Sequence, residues 1–185
     1  MKLFLFLMFI SLAALSCQKD QNFETFGVDH NLPAHDSIRI LSKYPELKLY
    51  NSEIVGSKTR TAHIVQAASY SDGPRIGTFL FDDYKCKALY QDDTLTIKLN
   101  NDNGYFGNGI VIKVFNHQFY IKDIDPKTLK SEEKFLKSKV FSQKLTLNSN
   151  KFHKNDSIYG FIDYKCSIDS LVDKHFKGYF KTLIQ

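Results

Sequence analysis

Apolar and polar residues alternate over short segments of this 185-residue chain, and this alternation limits its possible folds more than any other feature. In Thr94–Leu99 every second residue from Leu95 is apolar, and in Ile110–Phe115 every second residue from Ile110 is apolar. Side chains two positions apart lie on the same face of a β-strand. Both segments therefore predict strands with one buried face.

Turn signals separate the predicted strands. Asn116-His117 links the second segment to Gln118–Ile121, and two residues that tolerate a positive φ between apolar runs predict a tight hairpin. Ser157–Cys166 and Phe176–Ile184 are rich in aromatic and β-branched residues, a composition typical of strands.

Helical signals are few. Pro126–Val140 predicts one short helix, since Asp125 is a suitable cap and proline fits the first helical position. Asp36–Leu41 predicts no more than one helical turn, ended by Pro45. Many strands with few helices indicate an antiparallel sandwich or barrel. We expect an all-β chain, an antiparallel β-sandwich that is Ig-like or related, with one short helix.

The first sixteen residues predict an export signal. Met1-Lys2 is a basic start, and Leu3–Ala14 is almost wholly apolar. A helix needs about 20 apolar residues to cross a bilayer, so this run is too short to span one. A charged start, a short apolar stretch and small residues before the cut are typical of a secretory signal peptide, here residues 1–16.

The cut site carries a family resemblance. Ala14-Leu15-Ser16-Cys17 resembles the lipobox of lipoproteins processed by the type II signal peptidase, although Ala14 stands where the commonest pattern has Leu. The resemblance implies lipid attachment at Cys17, including an acyl chain such as palmitate, and several acyl chains anchor a protein stably in a membrane. Gln18-Lys19-Asp20 resembles the short charged signal of Bacteroidota surface lipoproteins. These resemblances imply an outer-membrane lipoprotein, on the periplasmic face or at the cell surface.

The chain after the signal divides into two predicted parts. Residues 17–44 lack sustained periodicity and predict a lipidated cysteine with a polar tether, whereas 45–185 predict a single sandwich domain. Removing residues 1–16 leaves a net charge of +4, from 24 basic and 20 acidic residues. Only Lys127–Lys139 is locally basic, which indicates a solvated segment or, alternatively, contact with acidic lipid or glycan. No motif indicates a nucleic-acid partner.

Cys86 and Cys166 remain as an even pair in an oxidising compartment. Each ends a similar hexapeptide, Phe81–Cys86 and Phe161–Cys166, and each is spaced evenly from apolar neighbours. Both side chains therefore point inward in the predicted strands. The pair predicts either a disulfide or two separate buried thiols.

Asn100–Gly109 (NNDNGYFGNG) is the candidate ligand loop. Asn100, Asn101, Asp102, Asn103 and Asn108 supply amides and a carboxylate, and Tyr105 and Phe106 lie among three glycines. Aromatic faces beside such polar groups suit sugar rings. The ten residues do not fit the ligand order of a calcium-binding EF-hand. The alternative is an ordinary hairpin loop whose two aromatic side chains fold back on the core.

Catalytic signatures are absent from the sequence, which holds no zinc-protease, nucleophile-elbow, Walker or dinucleotide motif. We expect neither a metal nor a cofactor. His153, Asp156, Asp173 and His175 lie near strand ends and are a second candidate cluster. The sequence favours a lipid-anchored envelope protein that binds a glycan or an envelope protein, without settling whether it is an enzyme. The alternative is an immunity or inhibitor lipoprotein that neutralises a toxin or hydrolase.

Overall fold

The computed structural model describes residues 22–50, 53–72, 75–101, 108–125, 134–168 and 172–185. These residues form two six-stranded sheets, a two-stranded ribbon and one short α-helix. The two larger sheets pack face to face over one hydrophobic core. The predicted all-β sandwich is confirmed.

Sheet 1 is built mainly from four consecutive antiparallel strands. Its members are β1 (Glu24–Thr25), β7 (Lys85–Gln91), β8 (Thr94–Asn100), β9 (Gly109–Phe115), β10 (Gln118–Ile124) and β11 (Phe135–Leu136). The spatial order is β1-β10-β9-β8-β7, and β11 pairs with the far end of β10. Short connections between consecutive strands make this order the simplest way to pair them.

Sheet 2 contains the longest strands. Its members are β2 (Gly27–Val28), β5 (Ala62–Asp72), β6 (Arg75–Phe81), β12 (Ser138–Leu147), β13 (Ser157–Ile168) and β14 (Val172–Leu183). The order is β2-β12-β13-β14-β5-β6, antiparallel except for the parallel pair β2 and β12. The ribbon consists of β3 (Pro45–Tyr50) and β4 (Glu53–Thr59).

The core lies between the inner faces of the two sheets. Leu95, Ile97 and Leu99 of β8 are fully buried, as the alternation predicts. They face a second layer that includes Ile64 of β5 and Phe180 of β14. Alternation with a period of two thus places one row of each strand in the interior.

The predicted hairpin between β9 and β10 is confirmed. Phe115 pairs with Gln118, leaving Asn116 and His117 as a two-residue turn. Their φ angles are 46° and 59°. Positive φ at both positions is the geometry that matches the twist of paired strands.

The predicted tether is wrong for residues 22–44. β1 and β2 each extend one sheet of the sandwich, and the helix α1 (Asp36–Leu41) buries Ile38 and Leu41. His35 caps this helix by accepting a hydrogen bond from the Ser37 N–H. Strands of two residues are too short to produce a periodic pattern, which is why the sequence reads as irregular here. The predicted signal peptide, Cys17 and the predicted charged signal after it lie outside the described residues.

The predicted helix over Pro126–Val140 is wrong where the structure describes it. Residues 126–133 lie outside the described residues, while β11 and the start of β12 occupy most of 134–140. The single α-helix of the described chain lies instead at Asp36–Leu41, where the sequence predicts a helical turn. The cap formed by Asp125 and Pro126 favours a helix locally. The pairing of β11 with β10 and of β12 with β13 outweighs that local preference.

Candidate functional site

Three connections meet at one end of the sandwich, and with Phe26 they surround a cleft of about 420 Å³. The connections are Asp92-Asp93 between β7 and β8, Asn116-His117 between β9 and β10, and residues 148–156 between β12 and β13. We call this the turn-end cleft. Its volume lies within the usual range of small-ligand sites.

Aromatic rings form the apolar wall of the turn-end cleft. The ring centres of Phe26 and Phe152 are 6.3 Å apart, and those of Phe152 and Tyr90 are 6.4 Å apart. The imidazole of His117 stacks on Phe26 at 6.3 Å with an interplanar angle of 20°. Phe26, Tyr90 and Phe152 are half-buried against the core. The core therefore holds these rings in place while part of each remains open to solvent.

Polar groups surround these rings. The Tyr90 hydroxyl donates a hydrogen bond to Oδ1 of Asp93 at 3.2 Å. Nδ1 of His153 lies 3.0 Å from Oδ2 of Asp156, and both side chains are exposed. Asn116 and Lys151 add an amide and an ammonium group. The cleft thus offers donors and acceptors beside apolar faces.

The backbone at this end is unusual. In the described part of the chain, the non-glycine residues with positive φ are Asp92, Asp93, Asn116, His117 and Asn155, and all lie in these three connections. A side chain in the left-handed region costs up to about 1–2 kcal/mol, and Asn, Asp and His tolerate it better than other non-glycine residues. Glycine is the usual second residue of such a tight hairpin turn, whereas this chain places Asp93 and His117 there. Non-glycine residues in such conformations concentrate at functional sites.

The opposite end of the sandwich holds a buried polar cluster, centred on the fully buried Asp123. The Tyr164 hydroxyl donates to Oδ2 of Asp123 at 2.7 Å, and Nζ of Lys174 lies 4.0 Å from Oδ1. The Cys166 thiol lies 3.5 Å from Oδ2. We call these four residues the sealed cluster. Because a buried charge is costly unless paired, Asp123 and Lys174 depend on each other.

Burial sets the chemistry of the two cysteines. It raises the pKa of Cys166 to about 12, with a further contribution from the Asp123 carboxylate. Burial also raises the pKa of Cys86, helped by Glu46. Both side chains are therefore protonated thiols at neutral pH, and a thiol is a poor nucleophile.

In the structure Cys86 and Cys166 are two separate buried thiols, one of the two alternatives that the sequence left open. Both point inward as predicted, but both thiols are free. Cys86 and Asp123 share a row of sheet 1 and are separated by β8 and β9, which places their backbones about 14 Å apart. Cys166 lies across the core from Asp123. A disulfide requires Cα atoms within about 7 Å, so the register of sheet 1 keeps the pair apart.

The predicted ligand loop is described only at its two ends. Residues 102–107, which include Asp102, Asn103, Tyr105 and Phe106, lie outside the described residues. Asn100 pairs with Gly109 in the β8–β9 ladder. The Asn101 amide donates to Oδ1 of Asp83 at 3.1 Å and accepts from the Asn108 N–H at 2.6 Å. Asn101 is thus buried and closes the base of the loop instead of facing a ligand.

The four strand-end residues do not form one cluster. His153 and Asp156 precede β13, whereas Asp173 pairs with Ser167 about 33 Å along it. His175 instead contacts Asp163 at 2.8 Å on the outer face of sheet 2. Burial alone would raise the pKa of Asp163, but hydrogen bonds from His175 and Lys177 outweigh it and lower that pKa. Of these four residues only His153 lines the turn-end cleft, with Asp156 as its hydrogen-bond partner.

Sequence reasoning did not identify the aromatic wall of the cleft. Phe26 falls in the segment predicted as tether, and Phe152 falls in an irregular connection. A signal was present in the Asp92-Asp93 and Asn116-His117 turns, which carry side chains where glycine is usual. A second signal was Asp123, a carboxylate in phase with the apolar residues Phe119 and Ile121.

Comparison with family models, curated proteins and solved structures finds no match to this chain. Within the described residues, no group of three or more histidine, cysteine, aspartate or glutamate side chains is placed to hold a metal ion. No helix in the same residues is long and apolar enough to cross a bilayer. On the geometry of its side chains, the turn-end cleft is the best-supported candidate site.

Proposed function

We propose that this protein is a lipid-anchored outer-membrane protein that binds a glycan in the turn-end cleft. The observation that carries the proposal is the meeting of Phe26, Tyr90 and Phe152 with polar side chains around one open cleft. Sugar rings present apolar C–H faces edged by hydroxyl groups. Aromatic faces pack against the former, and carboxylate, amide and imidazole groups bond to the latter.

The backbone of the cleft supports the same proposal. His117 keeps its imidazole over Phe26 at a position where glycine would relieve backbone strain. Short hairpin turns and the core hold these groups before any ligand arrives, and such preorganisation lowers the entropic cost of binding. The residues after the signal peptide supply the expected lipid attachment at Cys17, which would keep the cleft close to the envelope.

The test uses the full lipidated protein in detergent, applied to an array of neutral and uronic-acid-containing oligosaccharides. Phe152→Leu keeps most of the apolar volume but removes the flat ring. We expect wild-type protein to bind at least one class of sugar, and this variant to bind it about 3- to 10-fold more weakly, the usual worth of an aromatic contact.

Phe79→Leu is the matched control, because Phe79 is 57% exposed on β6, away from the cleft. It should leave sugar binding unchanged. Equal binding by wild type and Phe152→Leu would refute the cleft as the sugar site. Capture of a toxin or hydrolase from the envelope, without binding to any sugar on the array, would favour the immunity or inhibitor function instead.

A further inference from the structure

A second concave region lies on the side of the sandwich, where β10 and β11 meet the start of β12. Its volume is about 730 Å³. The residues that define it are Tyr120, Lys122, Phe135, Lys137, Ser138 and Lys139. We call it the lysine groove. Three lysines line it, and none of the described residues that line it is acidic.

Aromatic rings position two of the three lysines. Nζ of Lys122 lies 5.7 Å from the ring centre of Tyr120 and 5.3 Å from that of Phe135. Nζ of Lys139 lies 5.7 Å from the ring centre of Phe141. Ammonium groups are attracted to the faces of such rings. The arrangement therefore presents cations beside apolar surface.

The exposed rings follow from the strand geometry. The register of β12 against β13 shifts between Val140 and Ser142, so that Phe141 is left unpaired and 57% exposed. Phe135 of the short strand β11 is 46% exposed. Two large aromatic side chains in water beside lysines are the combination that suits the boundary between lipid headgroups and acyl chains.

The N-terminal end of the described chain reaches this groove. Asn22 lines it, and its carbonyl accepts a hydrogen bond from Nε2 of Gln143 at 2.7 Å. Cys17 lies only five residues earlier. A fully extended chain of five residues spans at most about 18 Å. A bilayer that holds lipid on Cys17 therefore lies within that distance of Asn22.

We propose that the lysine groove binds the anionic phospholipid headgroups of the membrane that holds Cys17. This inference rests on the lipid attachment within the proposed function, and not on the glycan. The lysine ammonium groups donate to phosphate oxygens, and Phe135 and Phe141 enter the headgroup layer. The side of the sandwich then rests on the bilayer, and the turn-end cleft at its end stays open.

Lysine labelling on vesicles tests this contact. The lipidated protein is placed in vesicles of phosphatidylcholine alone, or of phosphatidylcholine with about a third phosphatidylglycerol, and treated with an amine-reactive reagent. We expect labelling of Lys137 and Lys139 to fall at least threefold on the anionic vesicles. Labelling of the exposed Lys144, farther along β12, and of the exposed Lys154, in the connection before β13, should stay the same. High salt should remove the protection, because it screens the attraction.

Two double variants with equal charge changes sharpen the result. Lys122 should also be protected on anionic vesicles in the wild type. It should lose this protection in Lys137→Gln, Lys139→Gln protein and keep it in Lys144→Gln, Lys154→Gln protein. Equal labelling on both kinds of vesicle, with the protein bound to both, overturns the proposal. Absence of the protein from both kinds contradicts the lipid anchor and this proposal together, while sugar binding by Phe152→Leu is judged independently on the array.

Discussion

Each end of the sandwich has a tyrosine that donates a hydrogen bond to an aspartate, and the two pairs differ in how much water reaches them. At the turn end Tyr90 contacts the exposed Asp93 at 3.2 Å. In the sealed cluster Tyr164 contacts the fully buried Asp123 at 2.7 Å. When a solvent-exposed hydrogen bond is lost, water replaces the missing partner at little cost in free energy. A buried group that loses its partner instead keeps the full free-energy penalty of desolvation.

The comparison separates two uses of the same side chains. In the sealed cluster, polar groups are satisfied by one another and hold the two sheets in register. In the turn-end cleft, similar groups keep unfilled bonding capacity directed toward solvent. Solvent-exposed polar groups on a rigid scaffold can bind a ligand, whereas buried polar groups that bond to one another stabilise the fold.

The largest effect is expected from removing the charge of Asp123. Asp123→Asn leaves the Lys174 ammonium buried without a counter-charge, which typically costs about 3–5 kcal/mol of the free energy of unfolding. Asp93→Asn makes the same change at the turn end and should cost less than about 1 kcal/mol. Urea unfolding of both variants measures the difference. Equal losses would show that the two ends do not differ in solvation.

An intermediate decrease in the free energy of unfolding is expected at alkaline pH. Burial holds the pKa of Cys166 at about 12, above the ordinary value of 9.0, and raises the pKa of Tyr164 above 10.0. The unfolded chain therefore releases protons that the folded protein keeps. This contribution to stability is fully present below pH 9 and is lost as the pH rises toward 12.

Urea midpoints between pH 7 and pH 11 measure this loss. Cys166→Ala should make the decline above pH 9 shallower, by up to about 1.4 kcal/mol per pH unit. Return to pH 7 after exposure is the control for chemical damage. An identical slope in wild type and variant would mean that the sealed cluster admits water.

The smallest effect is expected at His117. His117→Gly relieves the backbone strain at φ 59° but removes the imidazole that stacks on Phe26. The free energy of unfolding should stay unchanged or rise by up to about 1 kcal/mol. Sugar binding on the array should nevertheless weaken about threefold.

Asn155→Gly is the matched control for His117→Gly, because Asn155 has φ 70° at the same end without lining the cleft. It should give a similar change in stability with unchanged sugar binding. A loss of binding in both variants would trace the effect to the backbone and not to the imidazole.

Much of the fold was predictable because each strand carries its own pattern. Leu95, Ile97 and Leu99 are buried as their spacing requires, and Asn116-His117 turns the chain as its residues allow. β1 and β2 were not predictable, since two residues show no period. The candidate site was largely missed, because Phe26, Tyr90 and Phe152 come from three segments that lie far apart in the chain.

The amino-acid sequence by itself determined the strand pattern, the tight hairpin at Asn116-His117 and the inward direction of Cys86 and Cys166. Side-chain alternation and turn chemistry act over a few residues, so a short stretch of sequence contains all the information they need. Only the tertiary structure decided that the two cysteines stay apart, that Asp123 meets Lys174, and which aromatic rings share a cleft. These pairings depend on strand order and on the register between sheets, and both result from packing between residues far apart in the chain.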